Sequence, residues 1–310
     1  MGGSGRSSGY IGPLTKSEQE KLQKAQELER LQLMTDINRL INDALAVFNG
    51  RDRDATNEKL DKLQDLLGSD FEVEHILLGG SVAKHTEVDG LSDVDALVVL
   101  DKEDIERDSP KKILSTFYKT LNEKLEHHDV AKIEKGNLAV TITFDDDTQI
   151  QLLPALRSKT HVFISSPDGT YWNETKPKAF TDELTAANKA MNNALVPAIK
   201  LMKAVNSNLP PQKQLTGYHI EAIAVDSVKT YDGEKTSRAL LLHMLGYAAE
   251  RVLVPIKDKT GQSRVVDSYL GKADSVQRKN VSQAMSGLQR RLDTATTLQQ
   301  WKSVLGVADE

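Results

Sequence analysis

The sequence predicts an α/β (α+β) protein of two lobes joined by a long N-terminal spine helix, and three observations predict it. An amphipathic stretch without Gly or Pro runs from Leu14 to Phe48, short strand-like apolar runs gather at about 70 to 165, and helical periodicity returns after Pro177. The length of 310 residues exceeds that of the usual single domain, in keeping with two lobes. The division this suggests is a flexible tail at 1–13, spine helices at 14–69, a sheet lobe at 70–175 and a helical lobe at 176–310.

In the first helix Ile37, Ile41, Ala44, Leu45 and Phe48 recur at helical spacing; Pro13 and Thr15 suit its start and Asn49-Gly50 its end. At 1.5 Å per residue it would be roughly 50 Å long, enough to run along the back of both lobes. Asp54 or Thr56 is expected to cap a second helix carrying Leu60, Leu63, Leu66 and Leu67 and ending near Gly68. Val73 to Leu78 and Ala96 to Leu100 read as strands, the latter a covered central one. A helix from about Pro110 to His127 separates them from Leu138 to Phe144, whose alternation leads through an Asp145-Asp146-Asp147 turn into a strand at Ile150 to Leu153.

Leu195, Ile199, Met202 and Val205 then mark one helix, with others at Ile220 to Val228, Ser237 to Leu253 and Asn280 to Leu298. Pro210-Pro211 and Asp258-Lys259-Thr260-Gly261 read as loops, and no internal repeat of fixed period is present.

Hydrophobic residues at 39% and charged residues at 27% exclude collagen-like, low-complexity and largely disordered chains. No Cys is present, which removes disulfides and thiolate chemistry and leaves oxygen or imidazole as metal ligands. The net charge of −5 argues against a protein coated in positive charge that grips duplex DNA through its phosphates. No apolar run reaches the roughly 18 residues that cross a bilayer, and Met1 to Gly9 is Gly/Ser-rich with no hydrophobic segment behind it. The expectation is a cytoplasmic protein with a flexible tail and no membrane partner.

The sharpest chemical signal is Gly79-Gly80-Ser81 followed, twelve residues after Ser81, by Asp93-Val94-Asp95 at the entrance of an apolar strand. Aspartates at i and i+2 of a strand point to one face, about 6 to 7 Å apart at Cα, so both carboxylates can share divalent cations. Mg²⁺ prefers such oxygen ligands together with substrate phosphates. A Gly-Gly-Ser turn between strand and helix offers backbone N–H groups and a hydroxyl to a triphosphate.

Together these residues resemble the active site of the DNA polymerase β-like nucleotidyltransferase superfamily, and more closely the bacterial CD-NTases (cGAS/DncV-like nucleotidyltransferases), relatives of animal cGAS. Gly79 to Asp95 carries the resemblance, with Leu152-Leu153-Pro154-Ala155, Lys200 to Lys203, Leu215 to Glu221 and the spaced Tyr171-Trp172, Thr175, Pro177, Phe180 and Asn188. The N-terminal helix, Arg51-Asp52-Arg53-Asp54 and Trp301 extend it to roughly residues 10 to 305. The resemblance implies a polymerase β-like catalytic sheet lobe and an OAS/cGAS-like helical lobe facing each other across a nucleotide cleft. It implies Mg²⁺, with Mn²⁺ as an alternative, held by Asp93 and Asp95; Gly80 and Ser81 on donor phosphates; Lys203 on the β and γ phosphates; and Tyr218 stacked on a base.

Lys200 and Lys203 share a helix face and suit a phosphate clamp; without the resemblance they read as a solvated stripe. NTPs, ATP foremost, would be joined with loss of pyrophosphate into a cyclic di- or trinucleotide. That product would be a second messenger in anti-phage (CBASS) defence, acting on a separate effector under the control of regulatory CBASS proteins. No long basic element or Cys/His insertion of the animal DNA sensor is visible, so no DNA activator is expected.

Two positions depart from the family pattern. Where the third metal carboxylate is usual the chain has Gln151, a neutral carbonyl in place of an anion, and Asp147 lies about 13 Å away along an extended strand. Either this branch works with two carboxylates, or another acid enters, or the chain is a catalytically impaired nucleotide-binding protein; a transferase acting on another acceptor is a further reading. Gly217 stands where relatives often place a Ser, with Thr216 as its substitute toward phosphate. Elsewhere His127-His128 read as a solvated helix end, His85 as a surface helix histidine, Asp145 to Asp147 as a turn, and Trp172 as core or, with Asn173, as base-pocket lining.

Overall fold

The computed structural model describes residues 15–91, 93–100, 108–125, 129–158, 161–166, 168–175, 177–259 and 265–307. The tail at 1–13, His127-His128 and Thr260-Gly261 lie outside the described residues.

Helix α1 spans Lys16–Phe48, opened by a capping box between Thr15 and Glu18. Ile37, Leu40, Ile41 and Ala44, spaced i, i+3, i+4, i+7, are buried in the helical-lobe core, whereas residues 15–32 are exposed. The expected long N-terminal helix is present over its full length, but only its final third carries a continuous apolar stripe, so only that third packs. Helix α2, Arg53–Leu67, is capped by Asp52, which accepts from Ala55 N at 3.0 Å. The caps expected at Asp54 or Thr56 are therefore misplaced; Thr56 lies inside the helix, its hydroxyl turned back to Asp52 O at 2.8 Å.

The sheet comprises β1 (Val73–Leu78), β2 (Val94–Leu100), β3 (Val130–Lys135), β4 (Val140–Phe144), β5 (Gln149–Ser158), β6 (His161–Ser165) and β7 (Trp172–Thr175). Its order is β1-β2-β5-β4-β3, with β6 on the second half of β5 and β7 beyond it. Strands β2 and β5 are parallel, with Asp95 opposite Gln151, and the other pairings are antiparallel. Helix α3, Pro110–Lys124, is capped by Ser109 and packs with α2 on one face over Val94, Ala96, Val98, Ile142, Ile150 and Leu152. Alternation leaves Asp93, Asp95, Gln149 and Gln151 to the opposite face.

β5 runs five residues beyond the expected end, straight through Pro154. Its neighbour changes there: residues 149–152 pair with β4 and 155–158 with β6, so the missing N–H of Pro154 falls where no strand partner is in register on that side. β6 and β7 carry no clean alternation and escaped the sequence reading.

The helical lobe contains α4 (Pro177–Ala190), α5 (Leu195–Ser207), α6 (Gly217–Ser227), α7 (Ser237–Arg251), α8 (Val276–Asp293) and α9 (Leu298–Leu305). The single helix expected from Asn280 to Leu298 is two, because Thr297 and Gln300 form a capping box that starts α9 afresh. Trp301, Val304 and Leu305 then return to the core. Among the described residues no helix is long and apolar enough to cross a membrane.

A buried polar cluster holds the loop that follows α7 onto this core. The Arg278 guanidinium donates to Asp267 Oδ2 at 2.7 Å, Val252 O at 2.8 Å and Gly271 O at 2.9 Å. His219, fully buried on α6, has Nδ1 2.9 Å from Tyr269 Oη and Nε2 3.7 Å from Asp267 Oδ2. Burial pushes its pKa from 6.5 down to about 4, against the pull of Asp267. As pH falls the unfolded chain therefore takes this proton first, so the contribution to stability is full above 6.5 and is lost toward 4. We expect urea midpoints between pH 7 and 4.5 to fall by an amount reflecting about 3 kcal/mol from this group. A His219→Gln variant showing the same pH slope as the wild type would remove His219 as its source.

Candidate active site at the strand ends

Because β2 and β5 are parallel and β1 is antiparallel to β2, one edge of the sheet collects the end of β1 and the starts of β2 and β5. Gly79-Gly80-Ser81, Asp93, Asp95 and Gln151 meet there. Gly79 N donates to Asp95 O at 2.7 Å, closing the β1–β2 ladder. Gly80 has φ +52°, and a Cβ on it would lie 1.6 Å from Asp95 Oδ2. Only glycine permits both that backbone and the carboxylate packed on it.

The expected helix after Ser81 is a single turn. Ala83 N bonds Gly79 O at 3.0 Å and Thr86 N returns to Ser81 O at 3.0 Å, with His85 exposed at φ 57° where a helix cannot continue. His85 is accordingly a turn residue, not a helix one.

Asp93 and Asp95 are half-buried on the same face. Burial, and secondarily the charge of Asp93, raises the pKa of Asp95 above the ordinary carboxylate value. Two converging carboxylates that repel in this way fit a divalent cation, and their oxygen donors suit Mg²⁺ or Mn²⁺. Gln151 stands at the expected third-ligand position, and its amide Nε2 donates to Asp93 Oδ2 at 2.6 Å. Among the described residues no group of three or more His, Asp or Glu gathers to hold a metal.

The two lysines are neither a solvated stripe nor an open clamp: Lys200 is 4% and Lys203 8% exposed. Lys203 Nζ donates to Glu221 Oε1 at 2.8 Å and to Thr86 O at 2.9 Å. Glu221, 1% exposed on α6, also accepts from Lys84 and the Thr86 hydroxyl. Burial alone would raise the Glu221 pKa, but Lys203 and Lys84 outweigh it and hold the carboxylate ionised. Burial lowers the pKa of Lys203, with Glu221 opposing. Lys200, one turn earlier, reaches Asn49 Oδ1 at 2.7 Å and lies 3.8 Å from Glu87, which Arg53 also approaches at 3.2 Å.

The Tyr218 ring meets Phe180 edge-on at 5.1 Å, carries the Lys84 ammonium 5.2 Å from its centroid, and donates its hydroxyl to Asp258 at 2.8 Å. Thr216 caps α6, its hydroxyl accepting from His219 N at 3.3 Å, and its own N–H donates to Tyr269 Oη at 3.0 Å. Gly217 stands open above Lys203: a Cβ there would be 3.6 Å from Nζ. Trp172 packs against the sheet-lobe core. A cavity of about 350 Å³ beside Asp93 is walled by Arg51, Lys59, Asp89, Asp146 and Gln149, and one of about 150 Å³ adjoins Tyr218 and Phe180.

The structure thus brings Gly80, Ser81, Asp93, Asp95 and Gln151 to one edge, sets Lys203 on the Thr86 end of the turn that follows Ser81 and Tyr218 against Lys84 of that turn, while Lys200 and Thr216 serve neighbouring contacts. Lys84, Thr86 and Glu221 were given no role by the sequence reading. The one available signal was Glu221 itself, a lone charge inside the apolar run Ile220 to Val225.

Residues 33–188, just over half of the chain, match the family described as the Second Messenger Oligonucleotide or Dinucleotide Synthetase domain. Among solved structures the chain is similar to E. coli MS115-1 CdnC in its HORMA-deltaN complex, at 18% identity and TM-score 0.63 over 82% of this chain and 90% of that one. It is similar to Bradyrhizobium diazoefficiens CdnG in complex with GTP, at 15% and 0.61 over 82% and 90%. Vibrio cholerae DncV cyclic AMP-GMP synthase, in complex with the linear intermediate 5′ pppA(3′,5′)pG, gives 14% and 0.59 over 95% and 91%. At such identities the likeness is one of fold. None of the curated proteins matches. With the family matched over half its length and the strand-end site in place, the chain belongs to the Second Messenger Oligonucleotide or Dinucleotide Synthetase family and is a nucleotidyltransferase of the bacterial CD-NTase type.

Proposed function

We propose that this chain condenses nucleoside triphosphates, ATP with or without GTP or another NTP, into a cyclic di- or trinucleotide, releasing pyrophosphate at each bond. The observation that carries the reading is the meeting of the Gly80-Ser81 turn with Asp93 and Asp95 at strand ends, with Lys84 on that turn and Lys203 brought to it from the helical lobe, both on Glu221. Asp93 and Asp95 would hold Mg²⁺, which supplies charge neutralisation for the transferring phosphoryl group when bound. Ser81 and the backbone beside it would take donor phosphates, Lys203 and Lys84 would balance their charge, and Tyr218 would support a base. Stacking on one aromatic face tolerates different bases, so Tyr218 contributes affinity more than base choice. The relatives' contents are consistent with this: CdnC was also solved with ATP, CdnG with GTP and DncV with a linear intermediate.

The product would act in the cytoplasm on a separate effector in anti-phage defence. The HORMA-deltaN complex of CdnC supports a regulatory partner of the same kind. One observation favours a second reading, a nucleotide-binding protein impaired in turnover: the amide of Gln151 sits on Asp93 in place of a carboxylate.

Purified protein incubated with all four NTPs and Mg²⁺, then treated with phosphatase and analysed by mass spectrometry, separates the two. Synthesis yields a resistant cyclic product that falls at least about 100-fold in Asp93→Asn, with its thermal unfolding unchanged. NTP binding without product would favour the impaired reading.

Lys203→Met is expected to raise KM for NTP about tenfold and to lower stability by about 3 kcal/mol, since it strips a buried carboxylate of one partner. Adding Glu221→Gln should recover part of the stability and leave KM high. An unchanged KM in Lys203→Met would make this lysine a structural ion-pair partner alone.

A further inference from the structure

We propose that Gln151 makes this a one-cation site, with a single divalent ion on Asp93 and Asp95 and the Gln151 amide filling the coordination that a second ion would need. The inference rests on the nucleotidyltransferase reading of the same strand ends. Register carries the first part: Gln151 lies directly opposite Asp95 on the adjacent parallel strand and shares its face, so residue 151 is placed to act jointly with both aspartates. Its amide N–H is already spent on Asp93 Oδ2 at 2.6 Å. That hydrogen bond occupies a lone pair which an ion shared between Asp93 and residue 151 would require, and it offers a donor dipole where such an ion requires an acceptor.

Most of the surrounding acids already face a cationic partner. Glu221 accepts from Lys203, Lys84 and Thr86. Glu87 faces Lys200 and Arg53, Asp89 lies 3.8 Å from Arg51, and Asp146 accepts from Lys59. Asp147 sits at the hairpin tip with φ 62°, four residues before Gln151. Two carboxylates neutralise one divalent ion; a second ion held a few ångströms away would have only substrate phosphate oxygens as anionic ligands and no further carboxylate from the protein at position 151. Paired catalytic ions in other enzymes stand about 3.5–4 Å apart, close enough for their unpaired electrons to interact when both are Mn²⁺.

The test counts ions with Mn²⁺ as probe and a non-hydrolysable ATP analogue on the full-length chain, by equilibrium dialysis and electron paramagnetic resonance. The wild type is expected to hold one Mn²⁺ per analogue-loaded protein with the spectrum of an isolated ion. Gln151→Asp is expected to hold two with the broadened spectrum of a coupled pair, and Gln151→Glu serves as a second carboxylate variant should the first fail to fold. A coupled pair in the wild type overturns the proposal, and so does a single isolated ion in both folded carboxylate variants. The product assay is separate. Cyclic product beside a coupled pair sinks this inference alone, whereas one ion without product upholds it and sinks the synthesis reading.

Discussion

Glu221 is the charge on which the cleft depends. At 1% exposure it accepts from Lys203 on the neighbouring helix and from Lys84 and Thr86 on the turn that follows Ser81, so one carboxylate ties the helical lobe to the loop of the sheet lobe. A carboxylate this deep is costly to desolvate and persists only when paired and hydrogen-bonded, which makes the three partners mutually dependent. One turn earlier than Lys203, Lys200 with Asn49 and Glu87 repeats the device and adds the end of α1 to the seam. Lys84 and Lys203 are thereby held beside the turn that follows Ser81, with part of their charge already balanced by Glu221.

The second constraint is steric. Gly80 lies under the Asp95 carboxylate with no room for a Cβ, so the Gly80-Ser81 turn and the Asp95 side chain are positioned by one close contact. The β2–β5 register then sets residue 151 beside Asp95. Whatever side chain stands there joins the carboxylates, and in this chain it is an amide that donates to Asp93. Residue 151 thus brings an amide and no further negative charge to the two aspartates, which is why the number of ions such a site would hold becomes a question about this chain in particular.

Local signals were legible wherever a single element sufficed. Val73–Leu78 was read to the residue, the Thr15 start and Gly68 end of the spine helices were visible as caps, and alternation through Val140, Ile142 and Phe144 gave β4 and its hairpin. Errors arose where two signals competed. Asp52, Asp54 and Thr56 are all acceptable caps, and only the path of the chain after Asn49 selects Asp52. Strands β6 and β7 are short and lack alternation, and the turn after Ser81 looks helical until His85 takes a left-handed backbone.

The Gly80-Ser81 and Asp93/Asp95 pairing was readable in order and spacing because the i, i+2 rule of a strand and the permissiveness of glycine are properties of the chain itself. The surroundings of Lys200 and Lys203 were not, since a lysine on a helix face looks the same whether that face meets water or a buried Glu221 from another helix. Nor was the bond from Gln151 to Asp93, which joins residues 58 positions apart through a register that no local pattern encodes. Long-range pairing of buried charge and parallel strand register both depend on which elements pack together, and that is settled only when the two cores form.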